Sequence, residues 1–253
     1  MRLARRRALA FLSAAVLAAA AVGIATTRRE PAPLPQRPTA ERPTLMLLTS
    51  LPLLFSEDFA LQGSGSPALK KVETRYRIVP ISVTDEAELR KGGLLLMAQP
   101  PAQTAENLVV LDAWVRRGGR VLLLADPVLE WPSKRPLGDP LRPPPMFTDT
   151  GLLAHWGLRL DAPDERGPAT RQLGGYSALT VSPGLLFGTC DVSSDRLVAR
   201  CRIGRGRALI VADADLLNID LLGGQARGNL DALLSQLAAL EPHPPPPKPR
   251  PNG

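Results

Sequence analysis

Histidine is nearly absent from this chain: His155 and His243 are the two in 253 residues. Cysteine is as scarce, with Cys190 and Cys201 alone, and aromatic residues make up only 4%. Each shortage argues against a class of function. Two histidines, one of them in a proline-rich tail, offer no base for activating a hydroxyl or thiol nucleophile. Two cysteines eleven residues apart, with no others, do not suit zinc. So few aromatic rings leave no stacking platform for nucleic acid. No Walker motif and no dinucleotide fingerprint occurs. Gly63-Ser64-Gly65 lacks a following lysine–threonine pair, and Gly204-Arg205-Gly206 reads as a β-turn. There is no internal repeat.

The formal net charge is +7, and its placement matters more than its sum. Residues 1–29 hold six arginines and no acid, and the tail after Glu241 adds Lys248 and Arg250. What remains is 23 basic side chains against 24 acidic ones, so the middle carries about −1. The sequence therefore predicts no nucleic-acid surface on the folded body.

Arg2, Arg5, Arg6 and Arg7 precede an uncharged run of eighteen residues, Ala8 to Ala25, which Arg28 and Arg29 close. That length is near the lower limit for crossing a bilayer. The excess of positive charge before the run puts the N-terminus in the cytoplasm and the body outside it. Residues 1–29 thus read as a membrane anchor or as a signal segment cleaved near Ala18 to Ala21. The apolar run continues past those alanines through Val22 and Ile24, which favours the anchor. Residues 30–43 carry five prolines and read as a semi-rigid linker that does not pack. Residues 44–241 form one α/β domain, and 242–253 a proline-rich disordered tail.

The stretch from Gly93 to Asp126 organises that domain. An apolar run, Leu94 to Ala98, is followed by a segment with Leu108, Leu111 and Val115 at helical spacing. Gly118-Gly119 ends the helix, and a second apolar run, Val121 to Ala125, stops at Asp126-Pro127. Strand, helix, strand in about thirty residues is a βαβ unit. Strands apolar without alternation are those of a parallel sheet buried on both faces. Further strands are expected at 44–49, 77–82, 158–160, 176–182 and 207–212, and helices at 149–156 and 229–240. Pro80 places its strand at an edge, and Thr84 is the expected cap of a short helix through Arg90. Residues 185–190 and 197–203 read as a hairpin around Ser193-Ser194-Asp195. Its turn would bring Cys190 and Cys201 within disulfide reach, and two buried thiols are the alternative. Trp131 to Met146, rich in proline and basic residues, is a surface excursion.

LLLMAQP at 94–100 and LDAWVRRGGRVLLLADP at 111–127 resemble the GATase-like domain of auxiliary subunits of uncharacterised ABC transport systems, the group that includes the gliding-motility auxiliary proteins. LLAHWGLRLD at 152–161 and GRGRALIVADADLLN at 204–218 are similar to further pieces of that pattern. The resemblance spans roughly Thr44 to Leu240. It implies a flavodoxin-like or class I glutamine amidotransferase-like fold: a mostly parallel sheet with helices on both faces, a β-hairpin addition and one preceding transmembrane helix. The amidotransferase nucleophile would match a position near Gln99-Pro100, and neither residue is a nucleophile.

In open parallel sheets ligands sit beyond the carboxyl ends of the strands. The candidate cleft residues are therefore Ser50, Gln99, Asp126, Asp213, Asp215 and Asn218, the last three matching the family's late motif. Clustered carboxylates can hold a hard cation, but an aspartate that ends a buried strand more often caps free backbone N–H groups. No cofactor or metal is expected. The expected function is a non-enzymatic accessory protein, tethered to the bacterial inner membrane with its domain in the periplasm. The resemblance implies ABC permease and ATPase subunits as its partners. The chain itself is neither, having no nucleotide motif and a single apolar segment. The alternatives are a periplasmic hydrolase using the three aspartates and a periplasmic ligand-binding module.

Overall fold

The computed structural model describes residues 30–55, 65–226 and 228–242. The anchor or signal at 1–29, most of the glycine–serine break and the tail from His243 lie outside the described residues. The chain divides into Met1–Ala32 and Pro33–Gly253, and the fold below belongs to the second unit. No described helix is long and apolar enough to cross a membrane.

The centre is a seven-stranded sheet. β1 (Thr44–Thr49), β2 (Arg77–Pro80), β3 (Leu94–Ala98) and β4 (Arg120–Leu124) are parallel. Between β4 and the end of the sheet come β5 (Leu158–Asp161), β6 (Pro168–Leu173), β7 (Tyr176–Val181), β8 (Leu185–Gly188), β9 (Asp191–Val192) and β10 (Val198–Ile203). β11 (Gly206–Val211) lies parallel to β4, whereas β10 and β9 run antiparallel at the far edge. The order across the sheet is β2-β1-β3-β4-β11-β10-β9. Its five parallel strands, counted along the chain, stand 2-1-3-4-5, a doubly wound order whose direction reverses between β1 and β3. β2 is at the edge, as Pro80 requires.

Strand composition explains the layer. Every residue of β3 is buried, as are Leu45 to Leu48 of β1 and Val121 to Leu124 of β4. Such strands need cover on both sides. Helices α1 (Pro67–Glu73), α2 (Glu86–Leu89), α3 (Ala105–Arg116), α4 (Leu152–His155), α5 (Ile219–Leu222) and α6 (Asn229–Leu240) accompany the sheet. α6 packs against β4, β7, β11 and α1, and α3 against α2 and β11. α3 is fixed locally: the Thr104 side chain accepts the Asn107 N–H at its start, and Gly118 (φ 122°) ends it with backbone angles a side chain would resist. Leu111 and Val115 are fully buried from it, each contributing about 1.5–3 kcal/mol relative to exposure.

Three local expectations change. The cap of α2 is Asp85, whose carboxylate accepts the Glu88 N–H, because Thr84 is buried and its hydroxyl donates to Asn107 O. The segment 185–188 pairs with β5 in a separate ribbon, so the hairpin partner of β10 is the two-residue β9. Arg196 takes a left-handed conformation (φ 59°) in the turn between β9 and β10. Cys190 and Cys201 are bonded, with Cα atoms 4.9 Å apart. α1 and β6 lay in stretches without a strong period: β6 is a mostly exposed strand that pairs only with β7.

The third change concerns the proline-rich stretch: residues 34–43 are attached to the fold where a free linker was expected. Arg37 makes two hydrogen bonds to the Glu241 carboxylate, at 2.9 and 2.7 Å, and Tyr76 O–H donates to the same group. The Arg37 N–H donates to Thr74 O, Arg75 donates to Pro35 O, and Leu34 packs on the core. Arg120 donates to the carbonyls of Leu240 and Glu241. Both ends of the folded unit are thus tied together at the amino ends of the strands. Proline supplied the stiffness that the sequence announces, and the arginines between the prolines supplied the attachment. Glu241→Ala is expected to lower stability by roughly 1–3 kcal/mol and to speed exchange of the Arg37 amide. Hydrogen exchange with mass analysis of residues 33–43 checks both the site and the direction.

Candidate functional site

The carboxyl ends of β3, β4 and β11 bring together Gln99, Asp126, Asp213 and Asp215. All four are buried. Ladder bonds stop at these ends, so the chain must find acceptors for its next N–H groups. Asp126 supplies three: Oδ1 accepts from Val128 N at 2.9 Å, and Oδ2 from Ala214 N and Asp215 N. Asp213 accepts from Leu216 N at 2.7 Å and from Val181 N at 2.8 Å. Asp215 Oδ2 accepts from Glu130 N at 2.7 Å, while its Oδ1 has no partner among the described residues. Asn218 caps α5 by accepting from Leu221 N.

Gln99 is the first residue after β3. Its backbone is left-handed (φ 42°), a conformation that strains a side-chain-bearing residue. The side chain points inward and continues the ladder: Oε1 accepts the Asp126 N–H, and Nε2 donates to Asp126 O and Pro144 O. Ser50 sits beside it at the end of β1, its N–H and hydroxyl both donating to Gln99 O. The sharp turn after β3 is therefore braced by the Gln99 side chain. Beyond Ser50 a cleft of ≈ 340 Å³ opens at the β1–β3 reversal, walled by Ser50, Phe55, Pro101, Arg135, Pro140 and Leu141.

Burial dominates the electrostatics of the aspartates. It pushes Asp126 up to about 6, against the pull of its backbone N–H partners and helped by Glu130 nearby. Asp215 rises to about 7, again chiefly by burial, with Asp126 and Glu130 adding repulsion. Asp213 is raised well above the carboxylate range by burial and by Asp126. Among the described residues no group of three or more histidine, cysteine or acidic side chains is arranged to hold a metal ion. The aspartates close the ends of strands.

Asn229 went unnoticed in the sequence. It is fully buried at the start of α6, accepting from Leu179 N and donating to Leu179 O and Leu216 O, each at 2.8 Å. With Asp213 it docks β7 onto the sheet. The signal was an asparagine opening a mostly apolar helix. His155 lies apart from this site, exposed, 3.4 Å from Asp112, which also accepts from Arg116 and Trp156.

No family model matches the chain, and no curated protein matches it. Among solved structures it is similar to the mmIFT52 N-terminal domain, with 13% identity and a TM-score of 0.50 over 79% of this chain and 99% of that one. Exo-beta-1,4-mannosidase Op5Man5 from Opitutaceae bacterium strain TAV5 shares 16% identity over 79% of this chain, at a TM-score of 0.42. The match spans 36% of that enzyme's chain. Cytoplasmic Protein STM3548 from Salmonella typhimurium shares 9% identity, with a TM-score of 0.49 over 78% of this chain and 98% of that one. Identities this low speak to the fold alone.

Raised carboxyl pKa values favour the folded state when the groups are protonated. Their stabilising effect is full below about pH 4 and is lost as pH climbs through about 6 for Asp126 and about 7 for Asp215. The melting temperature is therefore expected to fall between pH 5 and 8. Asp215→Asn keeps one acceptor oxygen and removes the charge, so it should flatten that slope and raise Tm at pH 8 by roughly 2–6 °C. Asp213→Ala strands two buried N–H groups and should lower Tm at every pH. Scanning calorimetry across the range distinguishes the two.

Proposed function

We propose that this protein is a non-enzymatic accessory subunit of an ABC-type transport system, anchored in the bacterial inner membrane with its α/β domain in the periplasm. The finer fold assignment belongs to the same reading: an amidotransferase-like doubly wound layer, helices on both faces, preceded by one membrane helix. The observation that carries it is what the strand-end side chains do. Asp126, Asp213 and Gln99 are engaged with backbone groups, and the turn after β3 offers neither hydroxyl nor thiol. A hydrolase built on these carboxylates would have to leave strand ends unsatisfied at the moment it used them.

The carboxyl pole presents exposed apolar side chains on an excursion that also carries Lys134, Arg135 and Arg142. Leu137, Leu141 and Met146 on the excursion are 77%, 61% and 58% exposed, with Phe55 at 74%. Gln99 and Asp126 hold the excursion's far end through Pro144 O and the Phe147 N–H, so it meets a partner with little ordering cost. Permease and ATPase subunits are the partners that the sequence resemblance supports. A second reading, a ligand-binding module, draws on the cleft beside Ser50, which lies at the strand-order reversal where such sheets take ligands.

Affinity capture of the tagged full chain from its own membranes in mild detergent tests the proposal. An ABC ATPase and its multi-span permease are expected among the captured proteins. Leu137→Asp with Leu141→Asp should cut their recovery roughly tenfold without lowering Tm. Recovery of neither subunit, from membranes proven to contain them, would reject the transporter role.

A further inference from the structure

The middle of the chain is close to neutral in sum, yet its charges are sorted by position. The strand ladders set Thr44 against Arg77, Leu94 against Arg120, Arg120 against Arg207 and Arg207 against Arg202. Arg120, Arg207 and Arg202 therefore stand in one row on neighbouring strands at the amino-terminal edge of the sheet, with Arg77 farther along that edge on β2. Adjacent turns extend it. Arg116, paired with Asp112, and Arg117 end α3; Lys91, paired with Glu88, precedes β3; and the Arg205 N–H donates to Arg116 O at 3.0 Å. Arg117, Arg202, Arg205 and Arg207 are exposed, and no described carboxylate lies within ion-pair distance of any of them. Arg120 is held below its ordinary value by burial and then by Arg207. A cleft of ≈ 360 Å³ opens on the row, lined by Arg200, Arg202 and Arg207 with Asp191 opposite. The acids Asp126, Asp213 and Asp215 lie buried at the other pole, whose surface excursion carries Glu130 at its root and Lys134, Arg135 and Arg142 along its length.

The chain enters the fold at this same basic edge. Pro35 O meets Arg75, Arg37 meets Glu241 and Thr74, and Pro43 O accepts the Arg77 N–H. Arg29, the last residue of the basic and apolar N-terminal segment, precedes Pro33 by four residues. Four residues reach at most about 14 Å. Arg120 donates to the carbonyls of Leu240 and Glu241, but Arg202 and Arg207 beside it, with Arg117 and Arg205 in the adjoining turns, have no acid at hand, and a plane of phosphates supplies the missing partners.

We infer that this arginine edge docks on the anionic lipid headgroups of the membrane that holds the anchor, leaving the carboxyl pole and its exposed apolar excursion facing away from the bilayer. The inference rests on the anchored reading above. It makes the tether directional: the domain stands on one end, and its partner-binding end is offered outward.

The test uses the full chain in vesicles of phosphatidylcholine alone and of phosphatidylcholine mixed with phosphatidylglycerol. Flotation reports insertion. A water-soluble lysine-acetylating reagent, read by mass spectrometry, reports exposure of Lys91 at the basic edge and of Lys134 at the opposite pole. Docking predicts flotation with both vesicles. It also predicts Lys91 labelling that falls roughly fivefold in the anionic vesicles while Lys134 is unchanged. High salt, or Arg117→Glu with Arg205→Glu, should restore the labelling. Flotation with both vesicles but equal Lys91 labelling in each would overturn docking and leave the anchor standing. Protection of Lys134 in place of Lys91 would overturn it too, with the opposite face turned to the lipid. Failure to float with phosphatidylcholine vesicles would remove the anchor. Docking would then survive only if the anionic vesicles still protected Lys91.

Discussion

A parallel strand buried on both faces ends in a place where neither a neighbouring strand nor water can take its next N–H group. That constraint shapes the carboxyl pole of this protein. Asp126 and Asp213 accept five backbone N–H groups between them, from the chain that leaves β4, enters the turn after β11 and lies along β7. Gln99 and Asn229 act as pieces of backbone, each bonding both the N–H and the C=O of one residue on another segment. An unpaired buried amide costs about 1–3 kcal/mol, so these side chains decide whether the outer ribbons stay on the sheet. The carboxylates accept being pushed up in pKa because losing the N–H partners would cost more.

The same constraint separates the two ends of the molecule. Acids gather where strands stop, because they accept. Arginines gather where strands begin and helices end, because C-terminal carbonyls and the helix dipole favour cations there. Here the arginine edge goes beyond what helix ends call for, with Arg202, Arg205 and Arg207 on or beside strands. The end where the chain enters is thus basic, and the far end carries the carboxylates and the exposed apolar excursion. A tethered domain with poles of this kind has a preferred way up.

Much of the frame was legible. Leu94 to Ala98 and Val121 to Ala125 are too uniformly apolar for anything but a covered parallel pair, and Gly118-Gly119 marks the helix end between them. Pro80 forbids a central strand and lies at the edge. Asp126 and Asp213 were recognisable as strand enders, but their partners were not, because Val181 and Ala214 lie 32 or more residues from one of the carboxylates they meet. The strand at 185–188 was assigned to the wrong neighbour since Leu197 to Ile203 is nearer in sequence than Leu158. The linker was misjudged because proline content reports stiffness and says nothing of Arg37 meeting Glu241, 204 residues away.

The sequence by itself determined the class of the layer: period and apolar run length are local properties, and a fully apolar five-residue strand has few places to be buried. It also determined where the strands stop, since glycine, proline and aspartate act within a few residues. Only the tertiary structure decided which backbone groups each aspartate would satisfy and which ribbon β8 would join. It alone turned a near-zero charge sum into a basic edge at one end and a set of buried carboxyl groups at the other. Charges add along a chain without regard to place, whereas register puts Arg120 beside Arg207 across a ladder. The field that a partner or a lipid surface meets depends on that placement.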